Sequence, residues 1–261
     1  MPEYRPPVDT LRWRLTLSWD GAGFVGWQSQ LGHRSVQETL HSALISLSRA
    51  PEDVFRPVAA GRTDAGVHAE AMTAHVDITE GALRPHPHQL VRALNARLPG
   101  DLAATRFDQA APGFHARFSC TERAYVYRVL YTPQRLPLWE GRALHVGRPL
   151  DIGAIRRAAA LLIGDHDFAA FATQEERSTL RRLHRLDVVE AAPLLEFHIA
   201  GESFLRHMVR GLVGTLLRVG TGQQQPEDVQ TILASRQRQQ AGANVAAHGL
   251  YFNGASYPKR F

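Results

Sequence analysis

Gly61-Arg62-Thr63-Asp64-Ala65-Gly66-Val67-His68 lies between two strand-like runs, Val54 to Ala60 and the alternating Met72 to Ile78. Its glycines free the backbone for sharp or left-handed turns, so the chain reads strand, turn, strand, with no helix between the two runs. The turn also presents Asp64 from a loop, two residues after the guanidinium of Arg62, which can hold a carboxylate ionised or reach a phosphate. An aspartate in an Asp-Ala-Gly turn has a plainer use as well, capping its own backbone. The turn alone does not separate these readings.

Working outward, Leu11 to Trp19 alternates apolar and polar residues, the pattern of a strand with one buried face. Ser35-Val36-Gln37-Glu38 has the Ser-x-x-Glu capping-box form and opens a helix to about Leu47. Pro87 to Leu98 reads as helical, Pro99-Gly100 punctuates, and Leu102 to Phe107 supplies another strand. The order strand, helix, strand, strand, helix, strand predicts a mixed α+β layer with helices on one face. The second half repeats these ingredients: Ala124 to Tyr131 is strand-like, Asp151 to Ile163 a capped helix, and Leu186 to Ile199 a pair of strands. Phe204 to Val219 is the clearest helix. Leu205, Met208, Val209, Leu212, Val213 and Leu216 form its apolar stripe, while Arg206, Arg210, Gly214 and Arg218 fall on one face that reads as solvated. The Pro-Gly-bearing stretch Asp108 to Gly113 is the expected seam, giving subdomains 10–107, with the Asp64 loop, and 108–257.

Composition narrows the function. The chain has 261 residues, 44% hydrophobic and 21% charged, too ordered in composition for a disordered protein, and its apolar runs are too short to span a bilayer. The proline-rich start, Met1 to Pro7, lacks an apolar signal core and reads as a tail, so a cytoplasmic protein with no membrane association is expected. Cys120 is the lone cysteine, which excludes an internal disulfide and a cysteine-rich zinc site. No His-Glu-x-x-His pattern occurs, and Pro87 spoils His86-Pro87-His88 as a ligand-bearing helix face, so no metal is expected. Asp165, in Asp165-His166-Asp167, reads as a helix N-cap rather than a cation ligand. The net charge of +5 favours a polyanionic partner. Of 30 basic residues only Lys259 is a lysine, and it falls in an expected C-terminal tail, which argues against Schiff-base chemistry.

Gly21-Ala22-Gly23-Phe24-Val25-Gly26 satisfies the dinucleotide-binding pattern, yet Trp27, Gln28, Gly32 and His33 intervene before the Ser35 cap. A pyrophosphate loop must feed straight into its helix, so a nicotinamide enzyme is disfavoured. Tyr125, Tyr127 and Tyr131 share one face of their strand. Aromatic surfaces stack on unpaired bases, but Tyr127 and Tyr131 read as core-filling residues with hydroxyls at the rim.

Taken with its neighbours, the Asp64 loop resembles the signature loop of the TruA family of tRNA pseudouridine synthases. Asp20 to Gln28 is similar to the family's first loop, Ser35 to Glu38 to its first helix start, and Phe114 to Ser119 to the block before the tyrosine strand. Phe204 to Arg210 resembles the C-terminal motif, and His248 to Phe252 the final strand. The order of these blocks spans nearly the whole chain. The resemblance implies two related α+β subdomains with mixed and antiparallel sheets joined across a central cleft, helices on one face. It implies that Asp64 is the catalytic aspartate, that Tyr125 packs on the target uracil, that Arg62 and Arg206 supply guanidiniums around them, and that Leu250 lines the base pocket. It further implies a homodimer that needs no cofactor and modifies uridines at positions 38, 39 and 40 of the tRNA anticodon arm. A catalytically inactive RNA-binding protein on the same fold is the alternative. Ala246-Ala247 stands where the family commonly has Ala-Pro.

Overall fold

The computed structural model of the chain describes residues 4–173 and 178–261. The fold is mixed α+β, as expected, in two compact units: residues up to Thr121 with Phe252–Phe261, and Glu122–Tyr251.

The first unit contains β1 (Thr10–Trp19), α1 (Val36–Ile45), β2 (Val58–Ala59), β3 (His68–Thr79), α2 (Leu90–Asn95) and β4 (Leu102–Gln109). β1 runs antiparallel to both β3 and β4, with Trp13 opposite Val76 on one side and Gln109 on the other. The alternation holds: Trp13, Leu15, Leu17 and Trp19 are buried, and Phe107 meets Trp13 edge-on at 5.6 Å. The other face of β1 is less open than its polar residues suggest. Arg12 is buried because Asp77, opposite it on β3, takes its guanidinium through two bonds of 2.7 and 2.8 Å, while a third nitrogen donates to the Phe114 carbonyl at 2.7 Å. Arg14 lies over the rings of Phe114 and Tyr257 and donates to the Phe261 carbonyl.

The described residues near both ends, Tyr4 and Phe261, are better anchored than the expected tails. Residues 1–3 lie outside the described residues, but Tyr4 stacks on Phe118, and its carbonyl accepts from Arg12. Lys259 is exposed, although the turn around it is held through Phe261. The run from Val54 to Ala60 pairs with β3 in two pieces, an isolated bridge from Val54 to Ile78 and the short strand Val58–Ala59, because Pro57 between them has no N–H to give a ladder. Pro87 to Leu98 divides into a 3₁₀ turn, Pro87–Gln89, and α2; the Asn95 side chain closes α2 by bonding both backbone groups of Ala104.

The second unit contains β5 (Glu122–Leu130), β6 (Leu144–His145), α3 (Ile152–Ala160), β7 (Gly164–Asp167), β8 (Leu180–Ala191), β9 (Leu194–Gly201), α4 (Met208–Gly220) and α5 (Asp228–Ser235). Its antiparallel ladder runs β5-β9-β8-β7, with β6 added parallel to β5. α3 starts where expected, with the Asp151 side chain accepting from Ala154 N–H at 2.8 Å. The final strand, β10 (Leu250–Ser256), begins in the second unit and ends in the first.

Two expectations fail here. Asp165 is not a helix cap: it lies in β7 opposite Arg182, which takes its carboxylate in a forked ion pair. Asp167 instead bonds the backbone two residues on, at Ala169. The arginine face of the Phe204 helix is not solvated along its length either: Arg206 is exposed, but Arg210 and Arg218 are half-buried and Gly214 is buried. α4 starts only at Met208, because His207 is left-handed at φ 62° and breaks the helix after Arg206. Segment Gly242 to Val245 covers the middle of that face, so closely that a methyl group on Gly214 would stand 2.0 Å from the Ala243 carbonyl oxygen. Arg210 donates to the Val245 carbonyl at 2.7 Å.

Candidate active site

In the first unit, Asp64 sits half-buried in the turn from Asp64 to Val67, closed by Val67 N–H on the Asp64 carbonyl at 3.2 Å. Gly66 takes φ 78°, the conformation this turn requires and a side chain resists. Arg62 is exposed beside it. A second loop, Asp20 to Gln28, cradles this turn. Trp27 N–H donates to the Thr63 carbonyl and Gly66 N–H to the Phe24 carbonyl, both at 3.2 Å. The Trp19 indole N–H donates to the Val67 carbonyl at 3.0 Å, and Gly21 N–H to Nδ1 of buried His68 at 3.0 Å.

The glycines of the cradle have a steric reason. A methyl group on Gly21 would stand 2.3 Å from the Val67 carbonyl oxygen, and one on Gly26 2.3 Å from that of Thr63. At Gly21 and Gly26 the Gly-x-Gly-x-x-Gly run is thus occupied by the backbone of the Asp64 loop, while Gly23 faces the Arg34 and Asp101 side chains, which leaves no cradle for a pyrophosphate there. The cradle is fixed in turn by α1: Val36 N–H donates to the Gly26 carbonyl and Gln37 N–H to that of Trp27. The Gln37 side chain adds bonds to Gln28, Ser29 and the Pro57 carbonyl. Strand, turn and helix together hold the Asp64 backbone in one position.

In the second unit β5 organises the remaining candidates. Tyr125 is 8% exposed and meets Phe204 edge-on at 5.0 Å, so the segment that carries Arg206 is packed on β5. Arg206 itself is exposed, ahead of α4. Tyr127 is fully buried, as expected for a core residue, and its hydroxyl donates to the Ala246 carbonyl at 2.8 Å. Burial pushes that phenol well above the usual tyrosine range, so it stays protonated. Its ring lies against Gly249, where a methyl group would come within 2.6 Å, and this pins the approach to Leu250, itself 6% exposed. Tyr131 lies just past β5 and is half-buried.

Residues 158–258 match the protein family described as tRNA pseudouridine synthase. Full-length relatives named tRNA pseudouridine synthase A extend the match. The one from Thermus thermophilus is 46% identical over 94% of this chain and 96% of its own. The relative from Zymomonas mobilis is 43% identical over 94% of this chain and 99% of its own, and that from Bordetella petrii 40% over 96% and 92%.

The chain belongs to the tRNA pseudouridine synthase family.

A pseudouridine synthase is an isomerase: it breaks the bond from uracil N1 to the ribose, turns the base, and rejoins it through C5. Atoms balance within the substrate. What such an enzyme needs is a rigidly presented reactive group and a pocket for an extruded base. Gly21, Gly26 and His68 supply rigidity to the Asp64 loop of this synthase. The glycine spacing was visible as a motif, but its use against a second loop depends on contacts 37 to 47 residues away in sequence, from Gly26–Thr63 to Gly21–His68, which no local pattern shows.

Proposed function

We propose that this synthase converts uridine to pseudouridine in the anticodon stem-loop of tRNAs, at positions 38, 39 and 40, with Asp64 as the catalytic carboxylate. Asp64 either attacks the ribose carbon or removes a ribose proton to give a glycal. Tyr125 packs on the uracil, Leu250 lines the base pocket, and Arg62 and Arg206 bind the substrate phosphates or hold the carboxylate ionised. Arg62, exposed on the same turn, suits the space vacated when the base leaves the stack, an extrusion that costs about a few kcal/mol. The protein works as a cytoplasmic homodimer with no cofactor.

The observation that carries this reading is the cradle: a half-buried aspartate in a turn whose backbone is locked by a second loop, with an exposed arginine two residues before it. Purified protein incubated with unmodified tRNA transcript, without cofactor or metal, is expected to yield pseudouridine in the anticodon arm, mapped by carbodiimide-stop sequencing. Asp64→Asn is expected to fold and bind tRNA but form none. Equal modification by this variant would remove Asp64 from the chemistry, and tRNA binding with no modification by the wild type would leave an RNA-binding protein.

A further inference from the structure

Residues 81–100 contain Arg84, Arg92, Arg97, His86 and His88 and no aspartate or glutamate. All five basic or imidazole side chains are exposed. His86 and His88, an unpromising metal pair in sequence, stack on each other at 5.8 Å with planes 9° apart. Arg84 and Arg97 converge from two segments on one cavity of about 370 Å³ in the first unit, together with Ser46, and its other walls include Pro85, Ala93 and Ala96. Among the described residues neither guanidinium makes a side-chain hydrogen bond or ion pair, and no carboxylate lines the cavity. Five other arginines of this unit, Arg12, Arg14, Arg34, Arg56 and Arg106, are each bonded to an acid or a carbonyl.

The backbone that carries the cavity's walls is held by hydrogen bonds between its segments. Arg84 N–H donates to the Leu47 carbonyl, Arg49 N–H to that of Ala82, and Ser48 bridges Leu83. Arg97 follows the carbonyl end of α2, where a cation is favoured, which offsets the repulsion of a second guanidinium nearby. Two planar forks facing one hollow match the tetrahedral oxygens of a phosphodiester, while the Ser46 hydroxyl at its edge is taken by the Ala43 carbonyl at 2.7 Å.

We propose that this cavity is an RNA-phosphate site, a docking point for the tRNA backbone separate from the Asp64 loop; it rests on tRNA being the substrate. Its contribution is to binding, not to the reaction step.

The test is the double variant Arg84→Ala/Arg97→Ala with full-length tRNA transcript. Because both side chains are exposed and unpaired, the melting temperature should match the wild type. KM should rise about tenfold with kcat unchanged, and the slope of log affinity against log salt should fall by about two, one per arginine. Arg84→Lys/Arg97→Lys should recover most of the salt slope, since lysine keeps the charge, but less of the affinity. Unchanged KM, affinity and slope in the alanine variant would overturn the proposal. A change in sedimentation mass with unaltered tRNA affinity would also overturn it and assign the cavity to a second copy of the chain. A weakened affinity for free uridine monophosphate, with that for tRNA intact, would assign it to a small nucleotide instead. If the wild type proves unable to modify tRNA, the proposed function falls, while the comparison of tRNA affinities still decides the cavity.

Discussion

Gly26 lies so close to Thr63 that a methyl group on it would stand 2.3 Å from the Thr63 carbonyl oxygen. Gly26 also holds φ at 100°, outside the range of ordinary side chains. Gly26→Ala must therefore displace the Asp64 loop. Turnover should fall about 100-fold, the effect expected when a reacting group shifts by about 1 Å. Circular dichroism should remain that of a folded protein. Wild-type turnover would mean that the cradle does not position Asp64.

Arg62 is exposed on its turn and contributes little to the core. Arg62→Ala should lower kcat/KM by at least tenfold while moving the melting temperature by no more than about 2 °C, as for surface substitutions generally. A large thermal shift with normal turnover would assign Arg62 a structural role.

Tyr125 keeps its edge-on contact with Phe204 when only the hydroxyl is removed. Tyr125→Phe should therefore retain far more activity than Tyr125→Leu, which loses the ring. The reverse ranking, measured as kcat at saturating tRNA, would favour proton transfer by the hydroxyl over stacking.

Arg12 and Asp77 form a buried pair, so removing one partner strands the other's charge. Asp77→Ala should cost about 3–5 kcal/mol in urea unfolding, whereas Arg12→Met/Asp77→Leu should be more stable than either single variant. Equal losses in the single and double variants would show that the cost lies in packing alone.

His75 is buried, and burial first, then the charge of Arg12 and the neighbouring His115, lower its pKa from 6.5 to about 2. Its Nδ1 accepts the Ala116 N–H, which requires the neutral ring. His115 is lowered to about 4, mainly by burial and then by Arg12. Both are neutral in the folded protein, and the unfolded chain takes up protons below about 6.5. Their contribution is full above that pH and is lost as the pH falls toward the folded values. Melting temperature should decline from pH 7 to 5, and His75→Gln should flatten the decline. A rise on acidification would contradict the assignment.

Local pattern was informative wherever one residue's environment is set by its near neighbours. Ser35 and Asp151 cap helices because their side chains meet backbone N–H groups three residues on. β1 shows its alternation because one face meets the core along its length. The pattern failed where a distant segment intervened. α4 looked half-solvated because nothing in its own sequence reports that Gly242 to Val245 lies over Gly214. Its start looked earlier because apolar periodicity continues through Phe204 and Leu205 while His207 turns left-handed. Asp165 looked like a cap because its partner, Arg182, is a strand neighbour 17 residues on.

The same division applies to function. The sequence by itself determined the family and the identity of the candidate acid, because a reaction centre needs particular residue types in a particular order, and that order is written along the chain. Only the tertiary structure decided what the glycine run is for, which arginines are spoken for and which stand open around a cavity. Close backbone approach and the pairing of charges are set by through-space distance, and residues separated by tens of positions come within those distances only once the sheet has formed.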